Sequence, residues 1–535
     1  MDSSIRRSRS RYSSENNSQQ ASDVSPTNVV SLHEAEQIMH IDTEVRNIRE
    51  GAINALLEQC ASLNRQRNGL VAAVKLPQEI LTIIFEFSCC PTDEGRYSTI
   101  VDKSFWQGRR SGIFYGRLRQ AGPFFVSRVC SMWRRVALDT PQLWNNIKVE
   151  VSYDEKESEK QALLLQYWLS NSHHRFLTVG LTLESLEDQD YEDGTYVYGV
   201  PTSVVDVLAT HAHRLCAAEL LVTGVWTSAL AYIGQHANML TSLTLELPEI
   251  IDDIVDCVDF FSTLPELSDV KLIGYSIRDV PLPTEQIVSL STDNVDTSDP
   301  PEALRLFPNL QRYTLNTRSF GVDSDTSMIG PLVHHTLASL ELILSCKADL
   351  GAILEKLSLP KLRSFSLTLD KGIPSVTSIE NFLMRCGCTL ETLHLGSSLP
   401  DGRLVKLLLK LPELRELSLQ LSSGVAISRW ALDLMNPRKQ AREIGISADD
   451  VACLVPNLES FTCHGTIAFD PRFLVEFLVD RWDNANDEVP DCNKGIPVAR
   501  LRSAKFSQTL MKLEDEDADV LSRLRLEGMR VEICK

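Results

Sequence analysis

The chain has 535 residues, enough for several domains or one extended repeat array, and its 43% hydrophobic and 23% charged residues are typical of a globular protein. A formal net charge of −19 argues against a body that binds a nucleic-acid duplex, because phosphate neutralisation needs clustered Lys and Arg. No stretch approaches the ~18–20 apolar residues that span a bilayer, and the N-terminus has no secretory apolar core, so the expected location is the cytoplasm or nucleus.

Residues 1–30 are mostly Ser, Arg, Asn and Gln with little to bury, and read as a disordered tail. Arg6, Arg7, Arg9 and Arg11 lie among serines; a solvated tail is the plain reading, a basic address, a phosphorylated tail or a weak RNA contact the alternatives. Over residues 31–75 the character changes. Ile38, Ile41, Val45, Ile48, Ala52, Leu56, Cys60, Leu63, Arg67, Leu70 and Val74 recur by threes and fours, with one extra four-step near Leu56. This heptad-like pattern with a stutter predicts a long amphipathic helix, either paired with a second chain as a homodimer or packed on its own body.

The segment KLPQEILTIIFEFSCC follows. Pro77 suits the first turn of a new helix, and Ile80, Leu81, Ile84 and Phe85 are expected on one face of it. Residues 91–121 lack a sustained period and read as an insertion. In VSRVCSMWRRVAL, Val126, Val129, Cys130, Trp133, Val136 and Ala137 share a helical face opposite Arg128, Ser131, Arg134 and Arg135. Thr140 is the expected N-cap and Pro141 the first residue of a short turn carrying Leu143 and Trp144. Two small helices cannot enclose that aromatic load, so either the rest of the chain or a partner covers it.

Beyond residue 150 a repeat appears. LTSLTL (240–245), LSDVKL (267–272), LQRYTL (310–315), LASLEL (337–342), LRSFSL (362–367), LETLHL (390–395) and LRELSL (414–419) share the form LxxLxL, with weaker copies IVSLST (287–292), LESFTC (458–463) and LRSAKF (501–506). All but one of the adjacent strong copies lie roughly 23–28 residues apart, the period of leucine-rich repeats, and the weaker IVSLST falls within the one longer interval. Each copy is expected to be a short parallel strand with its leucines inward, and segments such as GAILEKLSL and SIENFLMRC to be covering helices. The fold class is therefore α/β, with N-terminal helices followed by an irregular leucine-rich-repeat solenoid over residues 150–535, a curved parallel sheet with outer helices. The repeats lack the customary Asn, residues 419–458 contain an insertion, and 483–497 read as a polar loop.

At this point a resemblance becomes specific. LPQEILTIIFEF followed by VSRVCSMWRRVALDTPQLWNNIKV resembles an F-box, in particular the F-box-like domain of the large mushroom-type (agaricomycete) fungal families, which share Leu-Pro-x-Glu-Ile-Leu, Val-Cys-x-x-Trp-Arg and Thr-Pro-x-Leu-Trp. The motif covers residues 76–149, with the insertion at 91–121 as its departure from a compact F-box. The resemblance implies a substrate-recognition adaptor of a Skp–cullin–F-box ubiquitin ligase, with the F-box on the Skp adaptor and the repeats on a protein substrate. By position Leu76, Pro77, Ile80, Leu81, Ile84, Val129, Trp133, Pro141, Leu143 and Trp144 would form the Skp interface. For each, the alternative is packing against the chain's own first repeat. At the whole-chain level, the alternative is a non-catalytic scaffold whose helices only cap the solenoid.

The third and fifth positions of each copy are expected on the open, concave side, where Lys271, Arg312, Thr314, Glu341, Ser366, His394 and Glu416 are the candidate substrate contacts. The loop GVDSDTSMIGP and the stretches 425–450 and 483–497 compete with them, since irregular loops on rigid scaffolds often carry recognition. No enzyme, cofactor or metal site is expected. Motifs for nucleophilic, phosphate-binding, zinc or calcium chemistry are absent from the sequence. His173-His174, His211-Ala-His213 and His334-His335 read as surface histidines. Of the 13 cysteines, Cys89-Cys90 and Cys386-Gly-Cys388 are the close pairs; neither has metal or redox spacing, and the set reads as reduced core thiols. The acidic EDEDAD (514–519) reads as the start of a helix.

Overall fold

The structure is a computed structural model that describes residues 32–71, 76–89, 122–184, 200–247, 259–293, 300–317, 332–344, 350–369, 374–397, 399, 401–425, 427–437, 453–467, 469–483, 498–507 and 514–534. The expected tail 1–30, the insertion 91–121, the loop GVDSDTSMIGP, and most of 425–450 and 483–497 lie outside them.

All ten LxxLxL copies, strong and weak, begin a strand at their third residue. The strands are β1 (Asn146–Val151), β2 (Leu177–Leu183), β3 (Leu215–Leu221), β4 (Ser242–Glu246), β5 (Asp269–Ile273), β6 (Ser289–Asp293), β7 (Arg312–Thr317), β8 (Leu332–Val333), β9 (Ser339–Leu344), β10 (Leu357–Ser358), β11 (Ser364–Leu369), β12 (Thr392–Leu395), β13 (Glu416–Val425), β14 (Ser460–Thr466), β15 (Ser503–Ser507) and β16 (Arg530–Cys534). Apart from β8 and β10, which pair with each other, they form one sheet in chain order. Every neighbouring pair in it is parallel. That is the solenoid topology the repeats predict.

Register is uniform because each copy presents the same backbone. From Thr241 to Glu459 the carbonyl at the second position accepts two N–H groups from the next strand; the Arg363 carbonyl, for example, takes Glu391 N (2.8 Å) and Thr392 N (2.9 Å). Fourth and sixth positions then stack into buried rows: Leu340, Leu342, Phe365, Leu367, Leu393 and Leu395 are essentially inaccessible. Departures from leucine are matched across strands. Thr292, at a leucine position of β6, is fully buried and lies 3.4 Å from the hydroxyl of Tyr313, itself at a leucine position of β7. Phe461 sits beside Ala504 and Cys463 beside Phe506, so large and small residues alternate in register.

The helices are α1 (Leu32–Asn68), α2 (Gln78–Cys89), α3 (Gly122–Ser127), α4 (Ser131–Leu138), α5 (Glu155–Asn171), α6 (Ser203–Ala209), α7 (Thr227–His236), α8 (Pro300–Leu306), α9 (Leu350–Glu355), α10 (Val376–Cys386), α11 (Asp401–Leu408), α12 (Arg429–Met435), α13 (Pro471–Asp483) and α14 (Asp515–Leu526). Helix α10 shows how they cover the sheet. Ser375 caps it by accepting from Ser378 N, and Ile379, Phe382, Leu383 and Cys386 form its buried stripe, with Phe382 5.7 Å from Phe365 of β11. Gly387 ends it in the left-handed region (φ +57°), a conformation that favours a residue without Cβ. Helix α14 begins with Asp515, Glu516 and Asp517 in its first turn, where carboxylates favour the helix dipole. Arg481 of α13 is fully buried, and its guanidinium donates to the carbonyls of Leu454, Val455 and Pro456.

The aromatic load of residues 122–149 is covered largely by the chain itself. Trp144 is fully buried, donates Nε1 to Ala137 O (2.7 Å), and meets Trp168 of α5 edge-on at 5.2 Å. Trp168 Nε1 donates to Trp144 O (2.7 Å), and Phe124 packs edge-on against both indoles.

Two local expectations are corrected. VSRVCSMWRRVAL is not one helix: α3 ends at Ser127 and α4 starts at Ser131, so Val129 falls in the turn between them and is exposed. The break is held by Arg134, whose Nε donates to the freed Ser127 carbonyl (3.1 Å). Thr140 does not N-cap the following turn of 3-10 helix, Pro141–Trp144. Its hydroxyl donates instead to Val136 O (2.7 Å), satisfying a carbonyl at the end of α4.

Helix α1 is a 37-residue α-helix, taken by itself. Its apolar ridge is exposed throughout, as described below.

Candidate functional site

Helix α2 is apolar on two sides. Leu81, Phe85 and Cys89, at i, i+4 and i+8, are buried, and Phe85 meets Trp133 of α4 at 5.0 Å. On the other side Ile80 (44% exposed), Ile83 (48%), Ile84 (40%) and Phe87 (74%) form an i, i+3, i+4, i+7 stripe that no described residue covers. Four large apolar side chains on three turns of an outer helix face are unusual for a water-facing surface; burying each is worth about 1.5–3 kcal/mol. This is the anchor pattern of a helix seated in a partner's groove.

The expected single face Ile80/Leu81/Ile84/Phe85 is therefore split, because a helix this rich in Ile and Phe exceeds the width of one buried stripe. Among the ten residues named from sequence, Pro77, Ile80, Ile84 and Val129 are exposed, and Leu76, Trp133 and Pro141 are half-buried. Leu81, Leu143 and Trp144 are inside the chain, where the alternative of packing against their own fold applies. Ile83 and Phe87 were missed; the signal for them was the i, i+3, i+4, i+7 spacing from Ile80.

The open face of the sheet is the second surface. Third and fifth positions are the less buried members of each strand, as in the alternation of β4 and β7. The structure sets Thr314, Glu341, Ser366 and His394 side by side in one row, with Lys271 in the same row one strand beyond Ser291. Arg312 and Glu416 lie in the parallel row of third positions and are exposed.

Most of these groups are already paired within the chain. Thr314 Oγ1 donates to Glu341 (3.1 Å), Thr392 Oγ1 to Glu416 (3.4 Å), and Lys271 lies 4.0 Å from Asp293. The same holds at the ends of the row, for Lys148–Glu219 (3.8 Å) and Lys505–Glu532 (3.1 Å). Burial holds the imidazoles of His394 and His464 below their ordinary range, and His464 shares a hydrogen bond with Ser507. The open face is thus polar and largely self-satisfied.

A third feature was legible but unread. Second positions of five successive copies alternate in sign as Arg363, Glu391, Arg415, Glu459 and Arg502. They pair across the strands at 3.4 Å (Arg363–Glu391), 3.2 Å (Arg415–Glu459) and 3.6 Å (Arg502–Glu459).

His334, read as a surface histidine, is buried. Leu337 N–H donates to its Nδ1 (3.2 Å) and its Nε2 lies 3.1 Å from Phe307 O, which fixes the neutral Nε2–H tautomer. No group of three or more His, Cys, Asp or Glu residues poised for a metal occurs among the described residues. No described helix is long and apolar enough to cross a membrane.

No protein-family model matches the sequence, and no curated protein matches it. Among solved structures, the chain is similar to an internalin from Listeria monocytogenes at 11% identity, across 74% of this chain and 92% of that one, with a TM-score of 0.26. The solenoid assignment stands on the strand ladder: parallel strands in chain order, one per repeat, with helices between them.

Proposed function

We propose that the chain is the substrate-recognition adaptor of a Skp–cullin–F-box ubiquitin ligase, with no chemistry or cofactor of its own. In this reading residues 76–149 dock on the Skp adaptor and, through it, the cullin, while the solenoid of residues 150–535 holds a protein substrate. The observation that carries it is the uncovered stripe Ile80, Ile83, Ile84 and Phe87 on a helix whose opposite side is already buried. A helix that only capped the solenoid would need one apolar face, and α2 has two. The Leu-Pro-x-Glu-Ile-Leu, Val-Cys-x-x-Trp-Arg and Thr-Pro-x-Leu-Trp motifs name the partner class. A polar, paired open face suits a partner that exchanges hydrogen bonds and charges with it, as recognition of a folded protein or a polar peptide would.

The second reading, a scaffold whose helices serve only as a cap, is favoured by the Phe124, Trp144 and Trp168 cluster that joins these helices to the first repeat.

A pull-down with purified Skp adaptor separates the two. Wild type is expected to bind, and Ile80→Glu/Ile84→Glu to lose binding while keeping its unfolding midpoint, since both side chains already face water. Leu81 is left intact because it belongs to the core. A folded wild type that does not bind would overturn the adaptor reading in favour of the cap.

A further inference from the structure

Helix α1, taken by itself, carries an apolar ridge that no other described residue of its own unit covers. Every side chain from Glu36 to Arg67 is exposed, including Ile38, Ile41, Val45, Ile48, Leu56 and Leu63. In proteins most helical stability comes from packing an apolar face, and α1 also carries Gly51 in its interior, which costs about 1 kcal/mol relative to Ala. A helix of 37 residues with no such packing lacks the interaction that normally sustains one.

We propose that α1 pairs with α1 of a second copy of this chain as a parallel, in-register two-stranded coiled coil running from Ile38 to Leu63. Three observations select this occupant. First, Ile38, Val45 and Ala52 fall on a positions and Ile41 and Ile48 on d positions of successive heptads, and small Ala52 and Cys60 keep the seam narrow. Second, Glu44 falls on a g position and Arg49 on the e position five residues later, so two parallel copies in register bring Glu44 of each beside Arg49 of the other. Third, the extent suits a reversible pair. At 1.5 Å rise the seam from Ile38 to Leu63 is ~39 Å long, and at a width of ~10 Å it projects roughly 390 Å² per chain, about half the ~800 Å² per partner of a standard specific interface. Arg67 closes the seam, because two guanidinium groups facing each other across it repel. The step at Leu56 unwinds the supercoil locally without breaking it.

The register puts Cys60 opposite Cys60 of the second copy. In an antiparallel pair centred on the helix, the two Cys60 residues would lie ~30 Å apart along the axis. The pairing does not depend on the adaptor reading.

The test uses the full-length chain alone, without any Skp adaptor, so its failure is separate from failure of that reading. Sedimentation equilibrium across a dilution series is expected to give twice the 59.9 kDa of one chain. The variant Val45→Glu/Ile48→Glu is expected to give a single-chain mass with an unchanged unfolding midpoint, since both side chains are exposed. A short bismaleimide is expected to cross-link wild type into a covalent dimer. Cys60→Ser is expected to lose the cross-link and keep the doubled mass. A single-chain mass for wild type at every concentration, a doubled mass for the Val45/Ile48 variant, or the lack of a Cys60-dependent cross-link would each overturn the proposal.

Discussion

Outside α1, two surfaces of the described residues stand uncovered, and they are uncovered in different ways. The open face of the sheet shows Ser, Thr and charged residues that already pair with one another, as Thr314 does with Glu341 and Lys505 with Glu532. The outer side of α2 shows Ile80, Ile83, Ile84 and Phe87, which have nothing to pair with but water. A partner gains apolar burial at α2 and must exchange existing polar contacts at the sheet. The first chemistry suits one constant partner; the second suits discrimination among partners, because mismatched polar groups are costly.

The sharpest way to break this contrast lies within the helical segment. Trp144→Ala removes a fully buried indole and is expected to cost ~3–5 kcal/mol in chemical denaturation, whereas Phe87→Ala should stay within ~0.5 kcal/mol of wild type. Equal costs would mean that the outer side of α2 is not a free surface.

A second test uses pH and the histidines whose burial disfavours the charged form. Burial holds His334 below the ordinary imidazole pKa of 6.5, and its Nδ1 must stay unprotonated to accept from Leu337 N–H. The unfolded chain then binds the proton first, so stability is full above pH ~6.5 and declines as pH falls from there toward the lower folded pKa. His394 and His464 shift in the same direction. The denaturation midpoint should therefore drop between pH 7.5 and 5.5, with a shallower drop in His334→Phe; an unchanged slope in that variant would remove His334 from the account.

The smallest expected effect lies at the sheet's edge. Glu391→Arg places three guanidinium groups in succession at second positions and should destabilise by about 0.5–1 kcal/mol at low salt, with recovery as salt screens the repulsion. A loss that salt does not relieve would point to packing rather than charge.

The solenoid was legible because its signal is redundant. Ten copies marked ten strands, and even IVSLST, with Thr in place of a leucine, took its place because Tyr313 next door supplies a hydroxyl. Strands β2 and β16 were missed because Phe176 and Gly528 stand where the first leucine of the motif belongs; β3 was missed although its LCAAEL matches the motif as well as LRSAKF does. Strand β1 was recognisable from the alternation in NIKVEV. The helical segment was harder. Periodicity assigns apolar residues to a face but does not tell which of two apolar faces of α2 turns inward; Trp133 of α4 decides that, by meeting Phe85. The break at Ser127 depends on Arg134 reaching back seven residues, a contact that no local pattern encodes. His334 looked like a surface residue because adjacent histidines carry no periodic signal, and its burial is set by Phe307, 27 residues away.

The alternating row Arg363, Glu391, Arg415, Glu459 and Arg502 gives the array a parity. Deleting or duplicating any one interior repeat of this stretch would bring like charges onto neighbouring strands, while adding or removing two restores the alternation. Within these five repeats the unit that can be copied without electrostatic penalty is a pair. A stack that looks like single repeats laid end to end is, at this edge, built in twos, and its length can change most easily in even steps.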